Sequence, residues 1–364
     1  MFYLFKVSMG RRLLTALLAI SVLSMLVIPT AMADLKNWET ITDENGNVYE
    51  GDVLNGKRHG VGKMTFETDS YIGEWEDNMK SGFGVRTLQD GTRTTGSWQE
   101  DNVSGYCVQI GSDGHRLLGQ MKSNKLDGMG VVLYSDGKIY LGEWIEHTKS
   151  GFGALIYEDG TTEIGVFENG VYIGKPYDEE AIGKYTDPDG NVYEGEMKDG
   201  KFNGYGRKII TDGRILEGYF SNGVFIKGYF LNINGYHYVG SFTDSKLNGV
   251  AASIYDGKVY VGDFVNDIRE GEGALLWLDN EGSYIGGMAK NRLEGKGIYT
   301  RSEGDVYIGG FSNGEYEGEG VQFNKNGDIY EGGFVSGKRG GRGFLRYADG
   351  STYEGPFTNG KAGN

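Results

Sequence analysis

One short element, Tyr-x-Gly-x-(large apolar), returns along almost the whole of this 364-residue chain. It stands at Tyr49-Glu50-Gly51-Asp52-Val53, Tyr71-Ile72-Gly73-Glu74-Trp75, Tyr140-Leu141-Gly142-Glu143-Trp144, Tyr193-Glu194-Gly195-Glu196-Met197 and Tyr353-Glu354-Gly355-Pro356-Phe357. With the central glycine as position zero, copies fall at Gly51, Gly73, Gly96, Gly119, Gly142, Gly165, Gly195, Gly218, Gly240, Gly262, Gly286, Gly309, Gly332 and Gly355. Fourteen copies at a spacing of 22 to 24 residues, broken once by a gap of 30 after Gly165, commit the chain to a repeat architecture. A count of 64 glycines, about 18% against a usual ~7%, is then a geometric demand of the repeat. With only 4 prolines it is not collagen, and with 25 Tyr, 17 Phe and 5 Trp it is not a disordered linker.

Each position in the unit has a physical reading. Tyr at −2 (ten copies), Gly at 0 and Val, Met, Trp or Phe at +2 share one face of a strand. The bare glycine leaves room for rings of neighbouring strands to lie over the backbone. Position +5 is Gly in seven copies, as in Asn55-Gly56 and Asp199-Gly200, and otherwise Asn, Asp, Ser or His, which is the chemistry of a tight hairpin turn. A second strand opens on Gly-x-Gly, as at Gly60/Gly62 and Gly318/Gly320, and a second turn such as Asp90-Gly91 or Asp349-Gly350 closes the unit. Two short antiparallel strands per unit, each paired with the one before, predict an all-β array.

The pattern Tyr-x-Gly-x-(Trp/Phe)-x-x-Gly-x-x-x-Gly-x-Gly followed by Asp-Gly resembles the MORN (membrane occupation and recognition nexus) repeat. The resemblance covers nearly all of residues 43–364 and implies an elongated, twisted, open antiparallel sheet of about 14 hairpins, stabilised by neighbour contacts. Built as one ribbon, such a sheet would extend about 130 Å.

Three further segments lie outside the repeats. Lys6, Arg11 and Arg12 precede an uncharged apolar run from Leu13 to Ile28, and Ala31-Met32-Ala33 then gives a signal-peptidase pattern before Asp34. The run is short for a membrane span, so residues 1–33 read as a cleaved signal peptide, with an N-terminal anchor as the alternative, and the chain as exported to the periplasm, the medium or the cell surface. Residues 34–42 form a lead-in, 43–174 hold repeats 1–6, 175–184 an irregular insertion or bend, and 185–364 repeats 7–14. In the insertion Pro176 stands where a glycine of Gly-x-Gly belongs and removes a ladder donor. Lys227 and Tyr229 likewise replace the two glycines of a later copy, which should alter the local twist.

No residue set converges on catalysis, a cofactor or a metal. The single cysteine, Cys107, falls in the second Gly-x-Gly slot, which asks for a small packed residue. His59, His115, His147 and His237 occupy four different repeat positions without metal-ligand spacing. Asp187-Pro188-Asp189-Gly190-Asn191 and Asp43-Glu44-Asn45-Gly46-Asn47 hint at calcium loops, but Val192 stands where an EF-hand needs glycine, so both read as turns. The Gly-x-Gly pairs have no helix after them and are not phosphate loops. Paired carboxylates such as Glu50/Asp52 and Glu194/Glu196 read as a solvated acidic face.

The formal charge of −15 argues against a nucleic-acid partner. The leading expectation is a non-enzymatic exported scaffold with a protein partner, able to self-associate through the free ends of its sheet. Phospholipid association, which the resemblance implies, is weakened by the acidic charge, since only Lys57-Arg58-His59 and Lys338-Arg339 with Arg342 offer cations to a headgroup. A third reading, recognition of envelope polysaccharide, requires the tyrosine row to be partly solvent-facing.

Overall fold

A computed structural model describes residues 38–176, 180 and 182–363. The signal peptide assigned to residues 1–33 lies outside the described residues. Within them the chain is all-β, and within each sheet every strand is antiparallel to its sequence neighbour. Thirteen strands from Trp38–Thr42 to Val171–Gly174 form one sheet and seventeen from Ile182–Thr186 to Lys361–Ala362 form a second.

The hairpin is built around one ring. In the first copy Gly51 pairs with Gly62 across the strands Val48–Leu54 and Lys57–Thr65. The ring over this pair comes from the same strand: Tyr49 folds along its own backbone, so that a Cβ on Gly62 would sit 2.5 Å from its hydroxyl and 2.6 Å from its ring carbons. This corrects the expectation of rings from neighbouring strands. The Tyr49 hydroxyl donates to the Asp52 carbonyl at 2.8 Å, and Tyr193, Tyr284, Tyr307 and Tyr330 repeat the bond to the residue three further on at 2.8–2.9 Å. A row at +7 then roofs the tyrosines. Arg339 lies 4.8 Å over Tyr330, Phe202 stacks on Tyr193 at 3.8 Å, and Tyr316 stacks on Tyr307 at 3.8 Å.

Two local devices shape the second strand. The first glycine of Gly-x-Gly, Gly60 (φ 66°) or Gly82 (φ 56°), takes a left-handed conformation and forms a β-bulge. The +1 side chain occupies the bulge: Asp52 accepts the Val61 amide at 3.0 Å, Glu74 that of Phe83 at 2.7 Å, and Glu143 that of Phe152 at 2.6 Å. At the hairpin turn, +5 side chains stitch one unit to the previous one. Asn78 accepts the Arg58 amide at 2.8 Å, Asn124 that of Val103 at 2.7 Å and Asp267 that of Leu247 at 2.7 Å.

The ring, its glycine pair and its roof use one face. The opposite face holds the +1 carboxylates, as Glu143 against Lys227 of the second sheet shows, and apolar side chains at −1, +10 and +12, among them Leu118, Val131, Leu141 and Ile164 in the first sheet and Val261, Ala274, Ile285 and Ile298 in the second. These apolar residues form a single buried cluster, so the two sheets lie face to face as a sandwich. Met79–Leu88 faces Arg292–Thr300, Asn102–Ile110 faces Ile268–Trp277, and Thr148–Ile156 faces Val224–Leu231. The array is therefore folded in two, and its longer sheet spans about 80 Å in place of one 130 Å ribbon. The aromatic face is self-contained, and it is the apolar face, needing a cover, that turns the single ribbon expected from the repeat into two layers.

Strand pairing stops at Gly174 and resumes at Ile182. Lys175 then crosses to the second sheet and pairs with Glu217 at 2.7 Å, a carboxylate only 1% exposed that Arg207 approaches at 3.5 Å. Further along, Arg93 donates to the carbonyls of Arg301 and Glu281 on the opposite sheet at 2.9 and 2.8 Å, and Thr95, Ser283 and Thr300 form a buried hydroxyl cluster. The copy with Lys227 and Tyr229 keeps its glycine pairing through Gly228, which meets Gly218 and Gly240. That strand is one residue short and turns Tyr229 into the inter-sheet core and Lys227 onto Glu143 at 2.8 Å.

Because the ring leaves no room for a β-carbon, Gly62→Ala is expected to lower stability by about 1–3 kcal/mol, the usual cost of overpacking. The shift in the urea midpoint measures it, and an unchanged midpoint would refute the packing role assigned to Tyr49.

Candidate functional site

The residues singled out in the sequence are not brought together. Cys107 pairs with Gly96 and Gly119, is buried, and its thiol is pushed up to about 12 by that burial, which makes it a packed small residue in a glycine slot. His147 is a turn residue whose Nδ1 faces the Leu126 amide at 3.3 Å and whose Nε2 lies 3.0 Å from the Asn124 carbonyl. The imidazole replaces the Asn that stitches other turns. His237 meets the Tyr229 hydroxyl at 2.8 Å and is held below the usual imidazole range by burial. His115 packs edge-on to Tyr134. His59 has a buried Nδ1 without a hydrogen-bond partner.

The Asp43 and Asp187 loops are closed on themselves. Asp187 Oδ1 accepts the amides of Asp189 and Asn191, and Oδ2 accepts the Asn191 side chain at 2.8 Å. That amide bond is what holds the carboxyl below its ordinary value. Among the described residues no group of three or more His, Cys, Asp or Glu is disposed to hold a metal ion. The paired carboxylates split: Asp52 and Glu196 accept bulge amides, while Glu50 and Glu194 stay outside that role. Glu194 is exposed, whereas Glu50 is half-buried.

The small basic patches are also engaged. Arg58 lies 4.6 Å over Trp75 and donates to the Asn78 carbonyl at 2.8 Å, Arg339 donates to Gln322 while roofing Tyr330, and Arg342 pairs with Glu354 at 2.9 Å. Eight of the ten −2 tyrosines are buried and Tyr238 and Tyr353 are half-buried, so the row on which polysaccharide recognition was conditioned is largely turned away from solvent.

Four surface features remain. The first is the pair of sheet edges at the bend. Among the described residues Val171–Gly174 and Ile182–Thr186 each pair on one side only, and they carry Val171 (63% exposed), Ile173 (56%), Ile182 and Tyr185. The second is a 490 Å³ cleft where the two sheets part, between Glu143, Gln120 and Phe152 on one and Lys227, Ser241 and Val250 on the other. The third is a 400 Å³ groove on the outer face of the second sheet, walled by Trp277, Tyr299 and Tyr316. None of these aromatic residues belongs to the −2 row, and standing outside it is the one signal they carry in the sequence.

The fourth is a meeting of like charges across the sheets. Glu331 has a buried Oε2 with no partner, and its carboxyl is pushed up to about 8 by burial, with the charges of Asp52 and Glu319 adding to the shift. Burial also raises Asp52 and Glu319. A carboxyl that keeps its proton to a higher pH when folded stabilises the fold fully below its unfolded value and loses that contribution as pH rises through the folded one. Unfolding midpoints should therefore fall between about pH 4.5 and 8, and Glu331→Gln should flatten that slope. A slope unchanged in the variant would remove Glu331 as its source.

Nine segments of the chain, residues 49–70, 71–93, 118–139, 140–162, 193–213, 260–280, 284–306, 307–329 and 330–352, match the family model described as MORN repeat, together more than half of the sequence. The copies centred on Gly96, Gly218 and Gly240, which that model passes over, form the same strand pairs. No curated protein sequence matches the chain. Among solved structures it is similar to the TCP domain of Drosophila melanogaster SAS-4 (dCPAP) in complex with a proline-rich motif of Ana2, at 14% identity over 50% of this chain and 95% of that one, with a TM-score of 0.24. The TCP10 domain of Danio rerio CPAP follows at 9% identity, 75% and 99% coverage and a TM-score of 0.15, and a streptogramin B lyase at 13%, 77% and 84%, and 0.13.

Proposed function

Because the chain belongs to the MORN-repeat family, we propose that it acts as a non-enzymatic, exported scaffold that holds a protein partner along the sheet edges at its bend. The observation that carries this reading is the coincidence there, among the described residues, of two strands that end their sheets and carry exposed apolar side chains. An edge strand with open N–H and C=O groups recruits an extended segment by strand addition, and alternate side chains supply the selectivity. The rigid double layer behind it suits a platform whose edges keep a fixed spacing. Self-association through the outer strands Trp38–Thr42 and Lys361–Ala362 uses the same chemistry.

Lipid association is the weaker reading, since Arg58 and Arg339 are committed to aromatic rings and Arg342 to Glu354. Export follows from the sequence of residues 1–33 and predicts a mature chain that begins at Asp34, which N-terminal sequencing of the exported protein reads directly.

A photo-crosslinking residue placed at Ile173 is expected to capture a discrete protein adduct in cells. The same residue at Asn313, on a hairpin turn of the second sheet, should not. Equal capture from both positions, or none from Ile173, would overturn the edge assignment.

A further inference from the structure

In a tandem array the residues that recur are those the architecture needs, so a surface that departs from the recurrence has been shaped by something else. The outer groove of the second sheet is such a departure. On the preceding strand a −2 tyrosine can face an aromatic residue, as Tyr193 faces Tyr185 and Tyr238 faces Phe230, but opposite each of the other −2 tyrosines paired there the second strand of its own hairpin carries an aliphatic or polar side chain, such as Leu155 opposite Tyr140 or Gln322 opposite Tyr307. Opposite Tyr284 it carries Tyr299. Tyr299 stands edge-on to Trp277 at 5.7 Å and meets Tyr316 at 6.3 Å, so three rings from three hairpins form one angled wall. Gly314 and Gly337 lie on the rim, where an added Cβ would meet nothing within 4 Å, which leaves the groove open along its length.

We propose that this groove binds an uncharged oligosaccharide. Its volume of 400 Å³ lies within the ~300–1,000 Å³ of small-ligand sites. The polar groups beside the rings are Asn280, Arg301 and Glu315. Each ends in a planar head with two donor or acceptor atoms side by side, the arrangement that matches the adjacent hydroxyls of a sugar ring. A peptide offers its carbonyls and amides singly. The apolar C–H faces of a sugar fit the negative faces of the aromatic rings. The one cation among the lining residues, Arg301, is already balanced by Asp305 and so is not free for a uronate, and the single anion Glu315 offers little to a basic peptide, which favours a neutral ligand. Asp305 lies 3.6 Å from Arg301 and fixes the guanidinium beside Tyr299.

The test uses the full chain and its tryptophan emission together with titration calorimetry. The probes are two neutral tetrasaccharides, one of β-1,4-linked glucose and one of β-1,4-linked N-acetylglucosamine. At least one is expected to bind saturably below millimolar concentration with a shift in emission. Tyr299→Leu, which restores a residue other copies carry at this position, should weaken binding about tenfold or more. Arg301→Ala, an exposed change that leaves the rings in place, should weaken it as well. No saturable binding of either tetrasaccharide overturns the proposal. So does binding that both variants leave intact, or preferential binding of a proline decapeptide or a tetragalacturonate in the same titration.

Discussion

A tyrosine ring lying flat over two paired glycines is the contact on which everything else in this chain depends. It explains why the glycines come in facing pairs, since each ring covers one on its own strand and one on the next. It also explains the bulge. The tyrosine hydroxyl bonds to the carbonyl of the residue just after the glycine, and the backbone there must swing to receive it. The left-handed glycine and the side-chain acceptor at +1 complete that swing. Roofed by the +7 row, the aromatic layer is finished within one sheet. It needs no second layer to become dry.

That self-sufficiency throws the question of tertiary structure onto the opposite face. A strand has two, and here the second is aliphatic over most of the array. A free ribbon would leave it in water, at a cost of ~25 cal/mol for each Å² of apolar surface. Folding the array in half covers it without any new element. The interruption near Pro176 supplies the place, Lys175 on buried Glu217 fastens it, and Arg93 with the Thr95, Ser283 and Thr300 hydroxyls sets which strands face each other.

The hairpin, its turns and its period were legible in the sequence because each is a local demand renewed fourteen times. Tyr49, Gly51 and Gly62 announce their roles by recurrence, and Cys107 could be read as a packed residue from its slot alone. Layering was less legible, because Val131 and Ile298 are ordinary strand residues whose partners lie more than a hundred positions away. The carboxylates misled for a similar reason. Asp52 and Glu50 look alike in a list of acidic residues, and only the bulge distinguishes the one that accepts an amide. Tyr299 and Tyr316 were hidden by abundance, being two tyrosines among 25 until the register showed that Tyr299 stands opposite another tyrosine.

The nested arrangement of the two sheets also governs how the chain can reach this state. Thr148–Ile156 meets Val224–Leu231 across the bend, whereas Met79–Leu88 must wait for Arg292–Thr300. Hairpins form early from local contacts, but the layers close over loops that lengthen with each successive pair, and contacts of long sequence separation form slowly. Closure therefore runs outward from the bend like a zip with one fixed end. Until the last hairpins are made, the first ones stand with an uncovered apolar face, and that interval is where misassembly between chains has its opening.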